Sequence, residues 1–125
     1  MTDHQPPTPA ADRGLRSQTR AIRSGRRGDD RSLAPVLWAT STFWSSSVDE
    51  ARKMATMAGA DRFYSRYGNP TVGGFEDLVA DLEGAEAARA YASGMGAITG
   101  IVLGLCSAGD HIVAQRQLYA ATQLL

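Results

Sequence analysis

The sequence predicts an α/β fold, with the first strands and helices of a parallel sheet in its carboxyl-terminal half. Three observations carry this expectation. Strand, helix, strand and helix patterns follow one another from Ala87 to Leu125, the alternation from which parallel sheets are built. Asn69-Pro70 opens a segment with apolar residues at helical spacing. Residues 94–105 are apolar nearly all round, as a helix covered on every side would be.

Residues 1–18 are expected to be a disordered tail, because Pro6, Pro7 and Pro9 stand among Ala, Thr and Asp with too little apolar surface to offset ordering entropy. Residues 19–62 are expected to hold one short helix. Ser45, Ser46 and Ser47 precede Val48-Asp49-Glu50, and a serine cap with acidic residues in the first turn favours helix there.

The next helix begins at Pro70, since proline suits the first helical position and drives Asn69 into the extended geometry of a cap. Phe75, Leu78, Val79 and Leu82 fall at i, i+3, i+4 and i+7, the face expected to turn inward, and Gly84 closes the helix. Gly73 and Gly74 each weaken it by about 1 kcal/mol relative to alanine. Ala87–Tyr91 is a candidate strand, Gly94–Leu105 a buried helix, Ala108-Gly109-Asp110 a turn and His111–Ala114 a second short strand. Leu118–Leu125 reads as a loop entering a further helix.

Composition narrows the function classes. The chain of 125 residues is 43% hydrophobic and 21% charged with formal net charge +0, which suits one globular domain or part of one. Seven arginines against four aspartates occupy residues 1–31, and six basic against nine acidic residues follow. The basic start meets no nucleic-acid, membrane or transit-peptide pattern, because Asp3, Asp12, Asp29 and Asp30 interrupt it. The apolar run near Met95–Cys106 is short of a bilayer span. One cysteine and two histidines argue against a disulfide framework or a structural zinc site, so Cys106 reads as a small buried hydrophobe.

Two motifs stand above this background: Tyr64-Ser65-Arg66-Tyr67-Gly68-Asn69-Pro70-Thr71 and Ala92-Ser93-Gly94-Met95-Gly96-Ala97-Ile98. Together with Ala39-Thr40-Ser41-Thr42-Phe43 they resemble the Cys/Met metabolism (trans-sulfuration) family of pyridoxal-phosphate-dependent enzymes. That family includes cystathionine γ-synthase, cystathionine γ-lyase, methionine γ-lyase and the homoserine-ester sulfhydrylases. The likeness runs from about residue 19 to the last residue, and the spacing Tyr-x-Arg-x-x-Asn-Pro-Thr matches without a gap.

The resemblance implies a fold-type I enzyme, similar to aspartate aminotransferase, in which residues 19–62 form an extended amino-terminal arm with a short helix and residues 63–125 begin the large cofactor-binding domain. It implies pyridoxal phosphate as cofactor and a homoserine ester, cystathionine or methionine as substrate. It also implies a cytoplasmic homo-oligomer, a tetramer built from dimers with shared sites, and no nucleic-acid or membrane partner. The implied cofactor ligands are Tyr64 and Arg66, reaching the phosphate of a neighbouring subunit, Gly94 and Met95, cradling phosphate with their backbones, and Tyr119, stacking on the ring.

The residue types suit those roles. Arg66 has a fork of donors matched to phosphate and Tyr64 adds a phenolic donor. A glycine at a strand-to-helix turn lets an anion approach backbone N–H groups at the positive helix end, although one glycine alone is a weak signal. Tyr119 either stacks or simply packs, and Ala120 and Ala121 stand where the family usually has two glycines. Trp38, Phe43 and Trp44 read as packing or subunit-surface aromatics. Glu76, Asp77, Asp81, Glu83 and Glu86 read as a solvated helix face.

No catalytic residue is assigned. The family holds its cofactor on a lysine, and the lysine present, Lys53, lies in neither motif. The chain is therefore expected to be the amino-terminal piece of an enzyme working by γ-replacement or γ-elimination, cystathionine γ-synthase-like. The alternative is a catalytically dead interaction module that pairs with a full-length subunit. Tyr119 leans toward synthase and lyase branches, whereas Glu83-Gly84-Ala85-Glu86-Ala87-Ala88-Arg89-Ala90 looks sulfhydrylase-like. Either way, the chain mixed with pyridoxal phosphate should yield no site-specific borohydride-fixed cofactor and no γ-elimination or γ-replacement activity. Peptide mapping that traces a stoichiometric adduct to Lys53 would contradict this.

Overall fold

The computed structural model describes residues 14–23, 34–57 and 59–125; most of the expected tail and the arm residues 24–33 lie outside the described residues. Five helices follow in chain order among the described residues: α1 (Ser17–Arg23), α2 (Val48–Thr56), α3 (Pro70–Glu83), α4 (Gly94–Leu105) and α5 (Ala120–Gln123). The chain divides into two compact units, Met1–Ala88 and Arg89–Leu125.

In the first unit the described start of the arm is helical, not extended, and α1 takes in Ser17 and Gln18 of the expected tail. A long-range contact holds it. Arg20 Nε donates to Asp81 Oδ2 at 2.9 Å, its Nη2 lies 2.9 Å from Oδ1, and the same nitrogen donates to the Asp81 carbonyl. The two side chains are only 23% and 15% exposed, so solvent screens this forked pair less than a surface one. Asp81 thus leaves the solvated face to which its spacing assigned it and fastens α1 to α3.

The α2 helix starts where its serines and acidic residues predict. Ser47 caps it by accepting from the Glu50 amide at 3.1 Å. The Glu50 carboxylate turns back to accept from the Ser46 amide at 2.6 Å and from the Ser46 hydroxyl. This is a variant of the reciprocal capping box, displaced by one residue.

A buried amide organises the path into α3. Asn69, 7% exposed, accepts from the Thr71 amide at 2.9 Å through Oδ1 and so caps the helix. Its Nδ2 donates to the Trp38 carbonyl at 3.0 Å, the Ser65 hydroxyl at 3.1 Å and the Thr40 carbonyl at 3.4 Å. Thr71 extends the seam, donating to the Val36 carbonyl at 3.2 Å and accepting from the Trp38 amide at 2.8 Å. Gly84, at φ 67, ends the helix in the left-handed conformation that glycine adopts without penalty.

The inward face of α3 differs from the expected one. Pro70, Gly73, Gly74 and Ala80 are buried, while Leu78 and Val79 are half-buried, Phe75 is 56% exposed and Leu82 is also exposed. Asp81, which Arg20 of α1 grips, lies on the same side of the helix as these small residues. The Phe75–Leu82 stripe lies across the axis from it.

No β-ladder includes residues 87–91 or 111–114; among the described residues the sole bridge is an isolated antiparallel one in the first unit, Thr42 to Tyr64. A strand exists through its pairing partners, and neither segment meets one here. The helix α4 keeps its expected bounds but has no buried residue, and Leu103 is 76% exposed. Apolarity all round marks a helix suited to burial, whereas burial itself requires a second layer. Cys106, at the carboxyl cap of α4, is half-buried instead of enclosed. The turn at Gly109, with φ 101, and the entry into α5 fall where expected. No helix among the described residues is long and apolar enough to cross a membrane.

Two outcomes test these contacts. Asn69→Asp keeps the Oδ1 cap and loses the Nδ2 donors, whereas Asn69→Ala loses both. Hydrogen exchange should therefore show the Thr71 amide protected in the first and exposed in the second, with the Asn69→Ala chain less stable by about 1–3 kcal/mol. Equal exchange in both variants would contradict the cap. In α2, the Ser46 hydroxyl and then its amide hold the Glu50 carboxyl below the ordinary glutamate value. A depressed folded value stabilises above the unfolded pKa, and the effect is lost as pH falls through the lowered one. Carbon chemical shifts of residues 48–56 should lose helical character over that acidic range, and Glu50→Gln should flatten the profile.

Candidate functional site

The first group of site residues sits on a tight turn in the first unit. Phe43 N–H donates to the Phe63 carbonyl at 3.1 Å and Ser65 N–H to the Ser41 carbonyl at 2.8 Å, which pins the start of the turn to the arm. Tyr67 and Gly68 amides both return to the Tyr64 carbonyl, at 2.9 and 3.3 Å. Gly68 then passes so close to the preceding backbone that an added Cβ would lie 3.0 Å from Asp61 Cα and 3.2 Å from the Ala60 carbonyl oxygen. Ser65 completes the fastening by donating to the Thr40 carbonyl at 2.6 Å.

On this rigid turn Tyr64 and Arg66 lie at the surface. The Arg66 guanidinium carbon is 5.4 Å from the Tyr64 ring centroid and 5.2 Å from that of Tyr67. Both distances fall within cation–π range. No carboxylate pairs with Arg66 among the described residues, so its donors are not committed to an internal anion. Nearby, Arg62 lies 4.9 Å over the Trp38 ring, and Trp38 meets Phe43 at 5.7 Å between centroids. Trp38 and Phe43 therefore pack within the arm, whereas Trp44 is exposed.

The second group lies in the second unit. Ser93 caps α4, accepting from the Gly96 amide at 3.0 Å. Gly94 is the first helical residue, and a Cβ there would meet nothing within 4 Å. The space over the helix start is open. Tyr91 lies along the same helix: a Cβ at Gly96 would come 3.7 Å from Tyr91 Cβ, and one at Gly100 only 2.5 Å from Tyr91 Oη. Sequence spacing did not single out Tyr91, although the glycines at 96 and 100, four residues apart, mark the groove it occupies.

Met95 and Tyr119 are connected through α5. The Thr122 hydroxyl lies 3.5 Å from Met95 Sδ, and the Thr122 amide donates to the Tyr119 carbonyl at 2.9 Å. Tyr119 directly precedes α5 and its side chain is 71% exposed. Ala120 and Ala121, in place of the glycines expected there, form the first turn of that helix, consistent with alanine's high helix propensity.

Residues 18–125 match the family of Cys/Met metabolism PLP-dependent enzymes. The chain belongs to that family. It is 41% identical to the O-succinylhomoserine sulfhydrylase of Pseudomonas aeruginosa over 111 residues, 87% of this chain and 27% of that protein. The O-acetyl-L-homoserine sulfhydrylase of Corynebacterium glutamicum is 36% identical over 110 residues, 86% of this chain and 25% of its own length. The L-methionine gamma-lyase of Pseudomonas putida is 40% identical over 106 residues, 83% of this chain and 27% of its own. The chain thus spans about a quarter of the length of the curated relatives it matches.

Family members depend on pyridoxal phosphate, whose phosphate calls for hydrogen-bond donors and a positive potential. The residues present fit that demand: Arg66 has no carboxylate partner among the described residues, and the open amino terminus of α4, 12 residues long, carries the positive end of its dipole. Tyr67 and Ser65 also belong to this turn, though the motif spacing leaves both positions unspecified. The signal for Tyr67 was its place three residues after Tyr64, where a tight turn folds the chain back on itself.

Proposed function

We propose that this chain supplies the cofactor-phosphate half of a pyridoxal-phosphate-dependent trans-sulfuration enzyme acting on homoserine esters or sulfur amino acids. The carrying observation is Arg66, held against two tyrosines with no carboxylate partner among the described residues. The names of the relatives, sulfhydrylases of homoserine esters and methionine γ-lyases, support γ-replacement or γ-elimination; a cystathionine γ-synthase-like reaction is chemically adjacent. The working protein is proposed to be a cytoplasmic homotetramer built from two dimers.

Each residue has a separable task in this reading. Arg66 and Tyr64 donate hydrogen bonds to the cofactor phosphate of a neighbouring subunit. Gly94 and Met95 offer backbone N–H groups at the start of α4, where a side chain at 94 would take up the space the anion needs. Tyr119 lays its ring on the cofactor, and offset stacking adds about 0.5–1.5 kcal/mol beyond burial. When bound, pyridoxal phosphate withdraws electrons from the substrate's reacting carbons. Lys53, exposed on α2, takes no part.

The test uses subunits that also carry the family's cofactor-bearing lysine. Arg66→Ala should lower cofactor affinity by roughly ten-fold to a hundred-fold, since hydrogen bonds to charged groups contribute about 1.5–3 kcal/mol. Mixing Arg66→Ala subunits with subunits lacking the lysine then separates the two assignments. If Arg66 serves its neighbour, one site of each mixed dimer carries both lesions and the other neither, and activity returns. Verified mixed dimers that stay inactive would overturn the shared-site assignment.

A further inference from the structure

Tyr67 occupies a position that the spacing Tyr-x-Arg-x-x-Asn-Pro-Thr leaves unspecified, yet its ring centroid lies 5.2 Å from the Arg66 guanidinium carbon, as near as that of Tyr64 at 5.4 Å. The turn fixes the ring from two sides. The Tyr67 amide bonds the Tyr64 carbonyl at 2.9 Å, which folds Tyr67 back so that the two tyrosine rings meet edge to face, 6.5 Å apart at 66°. Phe63 packs against Tyr67 at 6.2 Å between centroids. An arginine side chain has several rotatable bonds and loses entropy when it grips an anion. Here the loss is already partly met before any anion arrives, because two aromatic faces hold the guanidinium.

We propose that Tyr67 is a positioning residue for phosphate binding: with Tyr64 it holds the Arg66 guanidinium ordered at the turn, so that the arginine meets the phosphate pre-organised. This rests on the reading of Arg66 as a phosphate ligand. It adds that Tyr67, which gives no donor to the anion itself, raises affinity through its π face.

The full chain, labelled with nitrogen-15, is titrated with inorganic phosphate and with pyridoxine 5′-phosphate, which lacks the aldehyde and cannot react with amines. The probe is the Arg66 side-chain Nε–Hε resonance, which the two rings shift and a bound phosphate displaces. Tyr67→Leu should abolish the part of the ring-current shift due to Tyr67 and weaken both anions about two- to five-fold, the equivalent of about 0.5–1 kcal/mol for an exposed cation–π contact. Tyr67→Phe, which keeps the π face, should retain both. Protection of the Thr71 amide reports whether the turn itself survives.

If Tyr67→Leu loosens that amide, Tyr67→Trp and Tyr67→Phe decide the matter. Trp binding phosphate more tightly than Phe supports the π-face role, since indole attracts cations best, and equal or reversed affinities overturn it. A Tyr67→Leu chain with an intact turn and unchanged affinity overturns it as well. Arg66→Ala separates the two levels. If that change weakens binding while Tyr67→Leu does not, the positioning role alone fails. If Arg66→Ala leaves binding unchanged, or the unsubstituted chain shows no phosphate response, the phosphate reading fails and this inference with it.

Discussion

The Asn69 side chain is the constraint on which the first unit depends. Its amide is buried, and a buried amide without partners would cost several kcal/mol. Here the oxygen caps α3 through Thr71 while the nitrogen ties the Trp38 and Thr40 carbonyls and the Ser65 hydroxyl. One side chain therefore sets where the helix starts, where the arm runs and how the Tyr64–Gly68 turn is held. Aspartate would cap equally well but donates nothing. The arrangement needs an amide with both an acceptor and donors.

Four arginines of the first unit show how environment separates structural from functional charge. Arg20 meets Asp81 in a half-enclosed fork that fastens two helices. Arg52 meets Asp49 three residues earlier on an exposed helix face, where such a pair contributes well under 1 kcal/mol. Arg62 lies over Trp38. Arg66 is carried by two tyrosine faces, which order a guanidinium without neutralising it, the state that suits an incoming anion.

The second unit places its chemistry on a helix whose side chains are little covered. Gly94 and Met95 begin α4 under the Ser93 cap, Tyr91 rests on Gly96 and Gly100, and Thr122 ties α5 to Met95. These contacts are short-range in the chain or join adjacent elements, so they form without a sheet. The apolar surface of Ile101, Leu103 and Leu105 remains exposed.

Local chemistry was legible in the sequence wherever neighbouring residues decide it. Ser47 and Ser93 cap their helices, Asn69-Pro70 starts α3, and Gly84 and Gly109 turn the chain, because each depends on groups a few residues away. The two motifs that identify the family are likewise contiguous runs. What spacing could not decide was partnership across the chain. Asp81 sits on a helix face that reads as solvated, yet Arg20, 61 residues away, claims it. The apolar spacing of Phe75, Leu78, Val79 and Leu82 pointed one face of α3 inward, yet only Leu78 and Val79 are half-buried there, while the small residues Gly73, Gly74 and Ala80 are the buried ones. Residues 87–91 and 111–114 have strand-like composition without a ladder, since a strand is a relation between segments and not a property of one. Sequence by itself determined the caps, the turns and the family; tertiary structure alone decided which faces are covered and which rings lie against Arg66, because both depend on contacts that no local pattern encodes.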